Sequence, residues 1–259
     1  MSNEKSITSG PSLVVEQLVV RYGGFEAVSG LDLTVQAGAV HGLIGPNGAG
    51  KTSSFNAICG YVPCSRGRVS VHGRRIARPS PLRAWRSGIG RTFQRVELFW
   101  TLTVRDHLEL AQRRAARARR TPPAPSALLE LVGLTAIENE VVASLPLGTC
   151  RLVEFARAIA TGADVILLDE PCSGLDKAET TQLQATLEHL RAELGLSLLI
   201  VEHDLEFILS IADRISVLDG GRLIEEGTPE AIQRSAAVRA AYLGEPPADA
   251  ASLCGQAAS

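Results

Sequence analysis

Gly45-Pro46-Asn47-Gly48-Ala49-Gly50-Lys51-Thr52, followed directly by Ser53, is the stretch on which the reading of this chain turns. Its glycines and its Lys-Thr pair fall on the spacing G-x-x-x-x-G-K-S/T. An apolar run, Ala39 to Ile44, leads into it, and a helix-compatible run, Ser53 to Ile58, leads out. Glycines let the backbone curl so that successive N–H groups turn toward one anion, and the start of the next helix adds positive potential. Lys51 is placed to reach outer phosphates, and the Thr52 hydroxyl to ligate Mg²⁺. A glycine-rich turn with an incidental lysine gives the same short pattern, so the flanking chain has to decide.

Upstream, Leu13 to Val20 and Leu31 to Val35 have strand character, separated by a turn, Arg21 to Phe25, that carries Tyr22. Downstream, Arg68 to His72 reads as another short strand closed by Gly73. From about Pro79 to Thr161 the texture becomes arginine- and alanine-rich and helix-forming, broken at Thr121 to Pro125. This predicts a mainly helical subdomain inserted in the core. Strand texture returns at Asp164. Lys177 to Leu194 predicts a helix stopped by Gly195, Leu196 to Val201 a buried strand, and Asp204 to Ala212 a helix. Arg214 to Leu218 and Arg222 to Glu226 flank Asp219-Gly220-Gly221, a hairpin signal. Alternating strands and helices predict an α/β fold with a parallel sheet. The expected domain spans residues 13–244, with loose tails at 1–12 and 245–259.

Composition fits an ordinary globular protein: 45% hydrophobic and 21% charged residues over 259 positions. A net charge of −2 gives no bulk electrostatic case for nucleic acid. Lysine occurs only at Lys5, Lys51 and Lys177. Cys59, Cys64, Cys150, Cys172 and Cys254 form no C-x-x-C pair, which favours reduced thiols over a disulfide framework or zinc site. The polar first residues carry no apolar signal core, and no run reaches the roughly 18–20 apolar residues that span a bilayer. The expectation is a cytoplasmic protein, or one held to a membrane by a partner. The basic run Arg113 to Arg120 fits anionic lipid heads or the loops of a partner; a solvated helix face is the reading favoured.

Val165-Ile166-Leu167-Leu168-Asp169-Glu170 is a buried-strand run ending in two carboxylates. Ligands of α/β sheets sit at the carboxyl ends of strands, so Asp169 is expected near the phosphate loop, holding Mg²⁺ directly or through water. Glu170 is the candidate general base for an attacking water. A strand ending in a solvated acidic turn looks similar in isolation. A phosphate loop and an acidic strand end together are much harder to obtain by accident.

With these residues in place, the chain resembles the ATP-binding subunit of an ATP-binding-cassette transporter over roughly Leu13 to Gly244. Gly45 to Thr52 matches the Walker A motif and Val165 to Pro171 Walker B. Arg91-Thr92-Phe93-Gln94 matches the loop whose glutamine joins the nucleotide core to the helical subdomain. Ser173-Gly174-Leu175-Asp176 matches the loop that crosses the dimer interface, and Val201-Glu202-His203-Asp204 the switch-histidine segment. The resemblance implies a P-loop NTPase core with a parallel sheet, an antiparallel β subdomain and an inserted helical subdomain. It implies ATP and Mg²⁺ as ligands, Tyr22 stacked on adenine, Gln94 on Mg²⁺ or water, and His203 on the γ-phosphate.

Subunits of this family pair head to tail, each capping the other's ATP with a signature segment that usually reads LSGGQ. The matching residues here are Leu145-Pro146-Leu147-Gly148-Thr149. Gly148 is kept. Pro146 replaces the serine, removing a hydroxyl and a backbone N–H, and Thr149 replaces the glutamine. Two donors lost from a charged phosphate cost about 1.5–3 kcal/mol each if unreplaced. A tolerated variant, in which Thr149 and the helix N-terminus suffice, is the other reading. In a heterodimer, the site on Lys51 and Glu170 would be the competent one.

Arg91 to Ala111, Gly221 to Ile232 and Ala241 to Glu245 resemble ATPase subunits of branched-chain amino acid importers. Such systems pair two ATPase subunits with two transmembrane permease subunits and an extracytoplasmic solute-binding protein. The chain is then expected on the cytoplasmic membrane face, held by the permeases. The alternatives are a nucleotide-binding partner with weak hydrolysis in a heterodimer, or a non-transport ATPase of the same fold.

Overall fold

A computed structural model describes residues 10–117 and 120–243 of the chain. In order, its elements are β1 (Pro11–Tyr22), β2 (Phe25–Gln36), β3 (Val40–Ile44), α1 (Lys51–Ile58), β4 (Arg66–Val71), β5 (Arg74–Arg75), α2 (Pro81–Ser87), β6 (Ile89–Arg91), α3 (Val104–Arg117), α4 (Pro125–Leu131), α5 (Leu147–Ala160), β7 (Val165–Asp169), α6 (Lys177–Leu194), β8 (Ser197–Val201), α7 (Leu205–Ile211), β9 (Arg214–Asp219), β10 (Arg222–Gly227), α8 (Pro229–Arg234) and α9 (Ala236–Leu243). Most of the two expected tails, Cys254, and Ala118-Arg119 of the basic run lie outside the described residues.

The strands form a four-stranded antiparallel sheet, β2-β1-β4-β5, and a six-stranded sheet, β10-β9-β3-β8-β7-β6. In the larger sheet β9, β3, β8, β7 and β6 run parallel, and β10 returns antiparallel. Its central strands are buried on both faces, which is why they read as continuous apolar runs. Period 2 then divides each run between two cores. Ile166, Leu168, Leu198 and Ile200 face a core shared with the helices. Val165, Leu167, Leu199 and Val201 face one shared with α1 and the antiparallel sheet.

In β1 the inward residues change parity, from Leu13 and Val15 to Leu18 and Val20. A bulge makes the change: Gln17 adopts φ 48°, and its N–H donates to Asp32 Oδ1 at 2.8 Å. Helix α6 keeps the expected limits. Asp176 and Glu179 form a reciprocal capping box at its start, and Gly195, at φ 65°, ends it.

The structure differs from the sequence reading in three places. Pro11 and Ser12 belong to β1 rather than to a tail, and β2 begins at Phe25 rather than Leu31. Within the stretch read as helical, Ile89–Arg91 is a strand of the main sheet, paired in parallel with β7. Three residues are too few to display a period of two, and the surrounding arginines and alanines carry helical texture. The helical lobe is therefore built from α3, α4 and α5, after the sheet has been revisited.

Candidate active site

Four segments meet at the carboxyl ends of parallel strands: the loop after β3, and the residues following β6, β7 and β8. The first holds Gly45 to Gly50. Gly45 has φ 148°, and a Cβ there would lie 2.1 Å from the Leu218 carbonyl oxygen; Gly50 has φ 99°, with Ala27 O 2.5 Å from such a Cβ. Neighbouring backbone thus forces glycine at both positions. Pro46, Asn47, Gly48 and Ala49 complete the curve, with Ala49 N–H donating to Pro46 O at 3.1 Å. The β9–β10 turn braces the loop: Gly221 N–H donates to Ala49 O at 3.1 Å, and Ser29 N–H to Gly221 O at 2.8 Å.

Helix α1 begins at Lys51, directly after Gly50. The Lys51 side chain curls back over the loop, its Nζ donating to Gly45 O at 2.6 Å and Pro46 O at 2.9 Å. Burial lowers its pKa, opposed by the negative charges of Glu170 and Asp169. Ser53, on the first turn of α1, lies 3.5 Å from the Tyr22 hydroxyl. Tyr22 is half exposed beside the loop.

Asp169 closes β7 and is buried; Glu170 follows it in a left-handed backbone conformation, φ 47°. Such strain in a non-glycine residue persists only where surroundings enforce it. Here Glu170 N–H donates to Val201 O at 2.8 Å, and its own carbonyl accepts from Ser173 at 3.1 Å. The Glu170 carboxylate accepts a hydrogen bond from Gln94 Nε2 at 2.8 Å. His203 Nδ1 lies 3.8 Å from the same oxygen. Glu202, which the sequence reading left without a role, fixes the relation of the two loops. Its buried carboxylate accepts from the backbone of Cys172 at 2.7 Å, His203 at 3.0 Å and Asp204 at 3.4 Å.

The structure therefore brings together Lys51, Asp169, Glu170, Gln94 and His203, with Tyr22 and Ser53 at the side. Thr52 Oγ1, Asp169 Oδ1 and Gln94 Oε1 make no protein hydrogen bond among the described residues. All three are hard oxygens, the donor type that suits Mg²⁺. Among the described residues no His, Cys, Asp and Glu cluster of metal-site size exists, so these donors fit an ion held mainly by phosphate and water.

Leu145 to Thr149 and Asp176 form a second cluster, with no hydrogen bond to the phosphate loop among the described residues. Pro146 is the N-cap of α5 and makes no side-chain cap. The Asp176 carboxylate is occupied locally, accepting from Glu179 N–H at 2.8 Å. Gly148 sits against Glu179, whose Oε1 would lie 2.8 Å from a Cβ there. Leu147 stands where the usual motif has glycine, a departure the sequence reading passed over. Its side chain is exposed and packs by Gly174.

The sequence also gave no sign of how α5 holds the Gln94 loop. Arg151 donates to Phe93 O at 2.8 Å and Gln94 O at 2.5 Å. Buried Glu154 accepts from Glu97 N–H at 3.3 Å, and Arg157 donates to Glu97 O at 2.6 Å. One helix thus starts at the signature segment and grips the loop that carries Gln94. Charged residues on a helix usually read as a solvated face, which hides such a clamp.

Comparison with known proteins identifies the family and the fold. The ABC transporter family matches residues 28–173, and the branched-chain amino acid ATP-binding cassette transporter family matches residues 222–248. The chain is 36% identical over 253 residues to the high-affinity branched-chain amino acid transport ATP-binding protein BraF of Pseudomonas aeruginosa, covering 92% of this chain and 99% of that one. It is 34% identical, over the same shares, to LivG of Escherichia coli K12, which bears the same description. Among solved structures, the ADP conformation of MJ1267, an ATP-binding cassette of an ABC transporter, superposes with a TM-score of 0.81 at 28% identity, covering 91% of this chain and 99% of that one. A nucleotide-free cassette from an ABC transporter gives 0.75 at 26% identity, with 91% and 96% covered. A phosphate loop, an acidic strand end and two polar loops arranged on this sheet, with relatives matched nearly end to end, place the chain in the ABC transporter family, as one of its ATP-binding ATPase subunits.

Proposed function

We propose that this subunit hydrolyses ATP to drive import of branched-chain or other amino acids, with its active site completed by a second cassette. The carrying observation is the Glu170 carboxylate, 2.8 Å from Gln94 Nε2 and beside His203, at the strand end that faces Lys51. Glu170 takes a proton from the attacking water. Gln94 orients that water through its amide, and His203 supports the γ-phosphate. Lys51 exchanges the Gly45 and Pro46 carbonyls for the outer phosphates, while the N–H groups from Gly48 to Ser53 wrap the inner ones. Tyr22 stacks on adenine. Thr52, Asp169 and Gln94 would hold Mg²⁺, which when bound would supply positive charge to offset that of the phosphates.

The partner cassette presents its signature segment to this ATP, and Leu145 to Thr149 with Asp176 face the partner's. Pro146 and Leu147 favour an unlike pair, since they leave this chain's signature surface short of donors and partly apolar. Permease subunits hold the pair on the cytoplasmic membrane face; among the described residues no helix is long and apolar enough to cross a membrane. A groove of about 760 Å³ beside the Gln94 loop suits a permease segment. It is lined by Tyr61, Trp85, Phe93, Phe99 and the arginines Arg113 and Arg114. Arg113 and Arg114 are exposed, as a solvated helix face expects, and would offer positive charge at the rim of this groove. A solute-binding protein outside the membrane supplies the cargo, and nucleic acid has no part.

Proteoliposomes holding the chain with its permeases and partner cassette test the transport reading. With a branched-chain amino acid and binding protein outside and Mg-ATP inside, labelled solute should accumulate. Uptake that is the same with ADP inside would refute it.

A further inference from the structure

Arg91, at the end of β6, is more deeply engaged than any role so far assigned to it. Its side chain and that of Asp169 are 7% and 5% exposed, and they pair at 2.8 Å through the Arg91 terminal nitrogen and Asp169 Oδ2. The other terminal nitrogen donates to Asn56 Oδ1 at 2.7 Å. Asn56 lies on α1, the helix that begins with Lys51 and Thr52. The guanidinium carbon is 4.9 Å from the Phe93 ring centre, 5.4 Å from Tyr61 and 5.9 Å from Phe55. Tyr61 and Phe93 meet edge to face at 5.9 Å and line the groove beside the Gln94 loop. One planar fork thus joins the end of β7, the phosphate helix and the groove wall.

A buried ion pair is a weak source of stability, because desolvation consumes most of its attraction. Its value here is geometric. The fork takes one Asp169 oxygen and leaves the other, Oδ1, unengaged among the described residues. Groups that fix a metal ligand from behind set its orientation, and their loss typically costs about 10- to 100-fold in metal affinity.

We propose that Arg91 is the positioning residue for Asp169, aiming its free carboxylate oxygen at the Mg²⁺ of the nucleotide site and tying that aim to the Tyr61–Phe93 wall. The proposal rests on the metal role given to Asp169 above. Lysine at this position keeps the charge, but a single ammonium on a flexible stem cannot hold Asp169 and Asn56 in one plane.

The test compares ADP binding in the presence of Mn²⁺ and in EDTA, with Mn²⁺ also counted by electron paramagnetic resonance. Arg91→Lys is expected to weaken Mn²⁺ binding to the ADP complex about tenfold, with ADP affinity in EDTA unchanged within twofold. Asn56→Ala, which removes one arm and keeps the ion pair, should shift Mn²⁺ binding the same way by a smaller factor. It serves in place of Arg91→Lys should that variant not fold. A parallel loss of ADP affinity in EDTA would make the residue merely structural and overturn the proposal, as would wild-type Mn²⁺ affinity in the variants. Wild-type protein that binds ADP equally with and without Mn²⁺ would instead overturn the metal site itself, and Arg91's role with it.

Discussion

Glu170 shows how much a single position asks of its neighbours. Its backbone is left-handed, its carboxylate is held by Gln94, and its main chain is pinned to the end of β8 and to Ser173 in the turn that follows. The identity of the residue was legible in the sequence, because two acids after an apolar run state their chemistry locally. Lys51 and Thr52 were legible as candidates from their spacing, once the acidic strand end at Asp169 and Glu170 gave that spacing weight. Arg91, Glu154 and Arg151 were not legible as functional groups. Their partners lie 78, 57 and 57 residues away in sequence, and no local pattern announces a pairing at that distance.

At the level of elements, α5 connects the Leu145 to Thr149 segment with the loop that carries Gln94. Its N-terminus is also its weakest point. Proline there cannot supply the hydroxyl that caps a helix, and no other side chain does so. Pro146→Ser restores a cap worth about 1 kcal/mol and adds donors toward the partner's phosphate. In the assembled complex it is expected to raise ATP turnover about tenfold if the capped site limits the rate, at about 1.4 kcal/mol per tenfold. Steady-state phosphate release measures this; an unchanged rate would show that the native segment suffices. Strand β6 teaches a related lesson. Its three residues were read as helical because their neighbours are, and only pairing with β7 makes them a strand. Long elements with clear ends, such as α6 between Asp176 and Gly195, needed no such context.

The whole molecule packs its main sheet between two cores, and His41 on β3 records the cost. Its ring is buried, with Nε2 2.8 Å from Ser216 Oγ, and Ser216 donates on to Glu226 at 3.0 Å. Burial pushes the His41 pKa down to about 4, against the raising effect of Glu226 and the Thr34 backbone, while Arg214 adds to the lowering. The unfolded chain takes this proton at about pH 6.5 and the folded chain does not. Stability is therefore complete above pH 6.5 and is lost as the pH falls toward 4. At pH 4.5 the loss from this residue is about 2.5 kcal/mol. Urea unfolding of wild type and His41→Gln at pH 7 and 4.5 measures it: the wild type should lose about that much more than the variant. Equal losses would contradict the buried neutral histidine.

The fold class was legible from the order of strands, helices and glycine-rich turns. The proposal that a second cassette completes the site rests on family resemblance, since a head-to-tail partner would leave no mark on one sequence. The claim that joins these scales is that Glu170 is the base of a site this chain carries and its partner completes. Its most direct test is Glu170→Gln in the assembled complex, with bound ATP and released phosphate measured together. ATP affinity is expected to stay within about twofold, while phosphate release falls about 10²- to 10⁴-fold. Phosphate release at the wild-type rate would contradict the account.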